Sequence, residues 1–549
     1  MICYETVTSR RPGGYPAGRD SIAMGRFPRS SRIRPACAAL VALVVAVVIL
    51  LPSPAGAGTG YTFYGSGYGH GLGMAQYGSL GLALKGWGHD RILRYYYGGT
   101  SVGPAPSVPK LLRVGLAQAR SRIRVTARNG RVELRVGDPT TGTLAARIPV
   151  DETWTVEPNS SGRYRILNAQ GRLVGGHAWG SPDQHLFARY SNSGARVFVE
   201  QAGHTYNRGS IEFNVYRTCG TCAHVLRLVI RLSHTAYLFG IGEVPSSWPM
   251  RALRAQAVAS LTYALEKWGR LGLRAACNCH LYASVLDQVY IGWDKEGGEL
   301  GSRWVQAVRD IGRDVVLLDG QPIQAFFHSS SGGYIADNRD VFGAPLSYLQ
   351  ARCDIGDKTP TNPNSVWTVG LSESAVTTAL LPYTGNIGTV TGFSGTVRDV
   401  SGRMTTVTVN GTGGSTTLTG STLRGALRLG LGLRSTRVWV NANRHVSGPI
   451  RSKYDALRCA PGLPTSAQVA VGDGLRQSFQ VGRIYHREGA GAHWLHGFVI
   501  AYFLDQGGPA GHLGFPLTDV QELDGGSTRA TFEGGTVTCT AEGACSESA

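Results

Sequence analysis

The sequence predicts a mixed α+β fold: a strand-rich region built around one central alanine-rich helix, followed by a small β-rich domain of C-terminal repeats. Three observations point there. From Leu111 to Ile241 short runs alternate apolar and polar residues, as in Arg122-Ile-Arg-Val-Thr and Arg131-Val-Glu-Leu-Arg-Val, with turn residues between them. Starting near Pro249, Leu253, Ala257, Leu261, Ala264, Leu265 and Trp268 share one helical face, while Ala252, Ala255 and Ala259 form another that a neighbour can approach closely. Gly462-Leu463-Pro464-Thr465 with Phe479-Gln-Val-Gly482 recurs as Leu513-Gly514-Phe515-Pro516 with Phe532-Glu-Gly-Gly535, the spacing of repeat modules. The 549 residues and 76 glycines imply several turn-rich domains rather than a helical bundle.

In chain order, residues 1–57 read as a secretory signal: arginines from Arg10 to Arg34, the apolar stretch Ala36 to Leu51, then Ala55-Gly56-Ala57 as a small-x-small cleavage pattern. The stretch is short for a membrane span, and an uncleaved anchor is the alternative; Met24 offers a second start. Residues 58–440 form one region. Within it, 64–100 hold a tight glycine loop around His70 that leads into a helix with Met74, Tyr77, Leu80 and Leu84 in helical spacing. A second short helix carries Ile92, Leu93 and Tyr96 before Gly98-Gly99. The strands fill 111–241 and a core spans 242–440. There Pro249 suits the first turn of the long helix, which ends near Gly269. A helix around Trp304, Val305, Val308 and Ile311 precedes a hairpin turning at Asp319-Gly320. The segment Phe326 to Gly333 follows, its small residues suited to a ligand approaching backbone. Residues 359–366 read as a surface loop, 441–453 as a linker and 454–549 as the repeats.

Residues 1–57 hold seven arginines and two acids, so without them the formal net charge falls from +18 to about +13. An exported basic protein suits anionic wall polymers. A nucleic-acid partner is not expected, because the charge is scattered, no recognised binding motif appears and the signal directs the chain away from the genome. Eight cysteines remain beyond the signal, an even number that favours disulfides in an exported protein. Cys219-Gly-Thr-Cys222 and Cys277-Asn-Cys279-His280 are alternatively zinc ligands, and Cys459 with Cys539 or Cys545 would tie the ends of the C-terminal domain.

The run from Glu243 through Pro245, Trp248, Pro249, Ala252, Leu253, Arg254, Ala255, Gln256 and Ala257 to Ala259 resembles the hallmark of the stage II sporulation protein D (SpoIID/LytB) family. The likeness continues through Asp287 to Gly292, Ser329 to Gly333, Tyr348-Leu349 and Leu431 to Thr436. Upstream, Gly69 to Gly78 with Ile92-Leu93 and Tyr96-Tyr97 looks like the family's glycine-histidine motif, so the resemblance covers most of residues 60–440. It implies a wall-associated lytic transglycosylase that cleaves the MurNAc-GlcNAc backbone of peptidoglycan to 1,6-anhydroMurNAc ends. The alternative it implies is a peptidoglycan-binding, non-enzymatic enhancer of an N-acetylmuramoyl-L-alanine amidase. The C-terminal repeats are similar to LGFP repeats, which the resemblance connects with cell-wall attachment in actinobacteria. The implied partners are glycan strands, a wall polymer and an amidase; no cofactor is expected. Arg251 stands where the family often has an acid and Leu261 where it has an arginine. The glycine-histidine motif precedes the long helix, whereas in the sporulation enzymes it lies toward the C-terminal end.

Glycosidic cleavage needs an acid still protonated near neutral pH, and the resemblance assigns that role to Glu243. A transglycosylase needs no second carboxylate, because the muramic acid's own C6 hydroxyl attacks C1. A carboxylate just before a helix is alternatively a cap, and the helix dipole would hold it ionised, so catalysis predicts a partly buried Glu243 with apolar or aromatic neighbours. Gln256 either faces the groove toward sugar N-acetyl groups or braces the helix. Ser330, Ser331, Gly332 and Gly333 form either a glycan-facing rim or a plain tight turn. His70 either binds sugar and assists proton transfer or holds structure. Asp340 and Glu299 are reserve candidates for a second carboxylate.

Overall fold

The computed structural model describes residues 60–359 and 361–549, so the expected signal and its cleavage site lie outside the described residues. The alternating region builds two sheets. One has seven strands in the order Leu281–Tyr282, Leu112–Arg120, His224–Leu232, Ser210–Arg217, Leu186–Tyr190, Val132–Val136 and Thr143–Ile148. The other has five, with Ile123–Arg128 at its centre. Their apolar faces share one core with the long helix.

That helix spans Met250–Leu271 and stops at Gly272, whose φ of 57° suits a residue without Cβ. Pro249 sits one position earlier than expected, as the N-cap with extended backbone, and Met250 begins the helix. The alanine face does what its small side chains allow: Ala252, Ala255 and Ala259 are buried, and the helices Gln76–Leu84, His89–Tyr96 and Gly301–Ile311 pack around the central one. The expected hairpin joins Asp314–Leu318 to Gln321–Pro322, with Asp319 and Gly320 both at positive φ as a type I′ turn requires. Met74 departs from its helical period. It lies in the two-residue strand Met74–Ala75, which pairs in parallel with Phe327–His328, so long-range pairing overrides local spacing.

A second core closes the chain's return. Gly60–Gly65 is the middle strand between Trp367–Ser372 and Val438–Val440, next to a three-stranded sheet and the helices Glu373–Thr384 and Gly420–Arg428. The expected linker 441–453 is in part structured: it contains the start of the helix Gly448–Ala456, and Ile450 is 0% exposed in a core with Tyr454, Phe479 and Ile484. The repeats form two four-stranded sheets, and the bridges Pro464 to Phe479 and Pro516 to Phe532 confirm their equivalence.

The cysteines pair as Cys219–Cys222, Cys277–Cys279, Cys353–Cys459 and Cys539–Cys545. The pairing expected between Cys459 and Cys539 or Cys545 is therefore corrected: the helix Gly448–Ala456 carries Cys459 onto the strand Arg352–Cys353 instead. The zinc alternative loses its thiolates to the Cys277–Cys279 bond, and His280 Nδ1 accepts the Arg113 amide. No helix among the described residues is long and apolar enough to cross a membrane.

Candidate functional site

Glu243 is delivered by a short antiparallel pairing. Ile241 bridges Tyr290, the Gly242 amide donates to the Val289 carbonyl at 2.9 Å, and the Ile291 amide donates to Gly240 at 2.8 Å. This register aims the Val289 amide at Glu243 Oε1, 2.7 Å away. The other oxygen, Oε2, accepts from Gln76 Nε2 at 3.2 Å. Gln76 begins the helix Gln76–Leu84 and is held there because the glycine loop runs against the Phe326 to Ser329 segment: Met74 N–H donates to Phe326 O and Tyr77 N–H to Ser329 O.

Glu243 is partly buried, and burial raises its pKa above the ordinary carboxylate value although both donors favour the charged form. It does not cap the central helix. The N-cap is Pro249, and neither Glu243 oxygen takes an amide of that helix, so the expected opposition from the dipole does not arise in this form.

The carboxyl lines a cleft of about 390 Å³ with Tyr68, Val285 and Phe327 as its apolar and aromatic surface. Polar groups face the same space. His70 Nδ1 accepts the Leu72 amide, which leaves the proton on Nε2, and burial with the Arg424 and Arg403 charges lowers its pKa to about 4. His70 is thus neutral, its remaining N–H engaged with the Phe327 backbone and its ring packed against Phe326 and Phe342. His328 shows the opposite polarity. Its Nδ1 donates to Leu72 O, so the unprotonated Nε2 is buried without a partner among the described residues, and burial holds the ring neutral. Arg424 and Arg428, from the helix Gly420–Arg428, add positive charge to the wall.

A second carboxylate, Asp287, lines this cleft, but its oxygens are committed to Lys267, Arg274, Tyr263 and the Tyr282 amide. It braces the segment that carries Val289. Asp340 lines a neighbouring cavity, and Glu299 is exposed in the turn before Gly301–Ile311; neither lines the Glu243 cleft.

Burial decides between the alternatives for five residues weighed as groove contacts. Gln256 is 1% exposed and donates to Ser260 Oγ, so it braces the helix. Ser330 and Ser331 are buried with their hydroxyls on Asp357 and Asp354, and Gly332 and Gly333 are the positive-φ turn behind them. Ser329, one residue earlier, is the member of that run that lines the cleft. Arg251 donates to Gly86 O and Leu261 lies in the core, so neither departure from the family pattern touches the cleft. Gln76, Asp287 and His328 escaped sequence reasoning as site residues although the first two fall inside motif segments and the third borders one; Arg424 carries no local signal at all.

Residues 223–317 match the family described as Stage II sporulation protein (SpoIID), and residues 462–511 match the LGFP repeat. The resemblance read from the motifs is thus matched over residues 223–317, which contain Glu243, and that of the repeats over 462–511. An amidase enhancer of Bacillus subtilis (strain 168) is 31% identical over 142 residues, 26% of this chain and 17% of that protein. An uncharacterized protein of Brachyspira hyodysenteriae (strain ATCC 49526 / WA1) is 28% identical over 193 residues, 34% of this chain and 48% of its own length. The chain spans less than half the length of either relative.

Proposed function

From a SpoIID domain and an LGFP repeat on one chain, we propose a wall-associated enzyme that cleaves the MurNAc-GlcNAc backbone of peptidoglycan as a lytic transglycosylase. The observation that carries this reading is Glu243, a carboxyl of raised pKa at the wall of an open cleft, positioned by Val289 and Gln76. Protonated, it gives its proton to the glycosidic oxygen as the bond to C1 breaks. The resulting carboxylate then takes the proton of the C6 hydroxyl as that oxygen bonds to C1, closing the 1,6-anhydro ring. One carboxyl therefore serves both steps, which agrees with the commitment of Asp287 to its cations. The LGFP match supports attachment to the wall.

A second reading is a glycan-binding enhancer of an amidase. The similarity to a protein named an amidase enhancer favours it, as do the two hydrogen bonds that stabilise Glu243 in its charged form. Mass spectrometry of glycan strands incubated with the protein separates the two. Anhydro-ended products that vanish with Glu243→Gln support the enzyme. Their absence from both peptide-free and peptide-bearing strands, with stimulation of a purified amidase, supports the enhancer.

A further inference from the structure

The proline loop that opens each repeat is held in the same way. Leu463 N–H donates to Gln480 Oε1 and Phe515 N–H to Glu533 Oε2, both at 2.8 Å. The amides of Gln480 and Glu533 return the contact to Leu463 O and Phe515 O. Gln480 therefore stands in the first repeat where Glu533 stands in the second, and the two side chains share a shape but differ by one charge. In the second repeat that charge is used, because Glu533 pairs with Arg487. In the first repeat it is missing.

Gln480 lines a cavity of about 370 Å³ between the first repeat and the second core, a volume in the range of small-ligand sites. Arg398 and Arg444 line it too, and no carboxylate does. Arg398 gives Nη1 and Nη2 to the carbonyls of Gly402 and Val438, and burial with the Arg437 and Arg444 charges lowers its pKa to about 10. The acid that opposes this shift, Asp399, is bonded to Ser401 and the Arg403 amide and lines the cavity of Asp340 instead. Arg444 makes a single hydrogen bond, at 3.3 Å to Pro464 O. Its Nε and Nη2, with Trp439 Nε1 and Gln480 Nε2, have no hydrogen-bond partner among the described residues, and none of the four is closed off from solvent. Phe393, Met404, Leu463 and Pro464 make the rest of the wall apolar. A cation would add to the repulsion between the guanidiniums and a neutral sugar would leave it standing, whereas an anion relieves it. A phosphodiester carries its one charge inside a chain, with a carbon-bearing unit on either side, and its two free oxygens match guanidinium N–H groups.

We propose that this cavity binds an anionic wall polymer, holding one phosphodiester group on Arg444, with Trp439 and Gln480 as neutral donors and the flanking units on the apolar wall. The proposal rests on the wall-attachment reading of the LGFP match and is independent of Glu243. It places attachment at the junction of the first repeat with the second core, where a glutamine stands in place of the second repeat's glutamate.

The test is calorimetric titration of the full chain with soluble oligo(glycerol phosphate), a phosphodiester polymer, and with two controls of matched length, neutral dextran and the carboxylate polymer polygalacturonate. The wild-type chain is expected to bind the phosphodiester polymer and not dextran. Gln480→Glu keeps an acceptor for Leu463 N–H, as Glu533 does for Phe515, while adding a carboxylate to the cavity. It should weaken binding about tenfold without lowering the thermal unfolding temperature, and Arg444→Gln should weaken it as much. Arg122→Gln, which removes one exposed charge from the strand-rich region, should leave binding unchanged. No binding of the phosphodiester polymer, dextran binding as tightly, or equal losses in Gln480→Glu and Arg122→Gln overturns the site. So does polygalacturonate binding as tightly with the same dependence on Gln480. None of these outcomes bears on Glu243, which product analysis of strand cleavage decides separately.

Discussion

At Glu243 two effects of opposite sign meet. Burial favours the protonated acid, while the Val289 amide and the Gln76 amide side chain favour the carboxylate, and burial prevails. If Glu243 is the general acid, Glu243→Gln should lower strand cleavage by about 10²–10⁴-fold with little change in thermal stability. The active form is protonated, so kcat/KM should be retained below the raised pKa and lost as pH climbs through it. Gln76→Ala removes a donor that holds the pKa down, so the falling limb of the pH profile should move to higher pH. A limb that stays in place would mean that the Gln76 contact does not act on the titrating group.

Two elements near the cleft leave little room for larger side chains. The central helix relies on small side chains, so Ala259→Leu should cost about 1–3 kcal/mol in urea unfolding through overpacking. The glycine loop relies on backbone that other residues disfavour. Gly73 has φ +65°, and a Cβ there would lie 2.0 Å from the Phe326 carbonyl oxygen. Gly73→Ala should therefore spread the pairing of Met74 with Phe327, cost about 1–3 kcal/mol and, by drawing Gln76 away from Glu243, move the falling limb of the cleavage pH profile as Gln76→Ala does. Thermal unfolding and product analysis on the same variant check both parts.

Across the whole molecule, the Cys353–Cys459 bond ties the strand Arg352–Cys353 to the segment after the helix Gly448–Ala456 over a sequence separation of 106. Cys353→Ser with Cys459→Ser should lower unfolding free energy by about 2–5 kcal/mol in denaturant titrations. Beside Cys353, Asp354 is buried on Tyr96 and Ser331, and burial with the Asp357 charge pushes its pKa up to about 7. Its folded value exceeds its unfolded value of about 3.9, so the folded state binds more protons between the two. Stability should then fall as pH rises from about 4 to about 7, and Asp354→Asn should flatten that slope.

The elements were legible where their signal is local. Alternation over 111–241, the apolar and alanine faces of Met250–Leu271, Asp319-Gly320 and the repeated Pro-to-Phe spacing each depend on residues a few positions apart, whose backbone geometry repeats with a fixed period. Glu243 was likewise found through the motif around it. What stayed hidden depends on segments far apart in sequence meeting in space. Gln76 and Glu243 are separated by 167 positions, and Cys353 and Cys459 by 106. Ser330 and Gln256 carry polar side chains that sequence places as readily on a rim as in a core; Asp357 and Ser260 supply the partners that let them be buried. Burial and partner choice are properties of the folded chain's return upon itself, which no local period encodes.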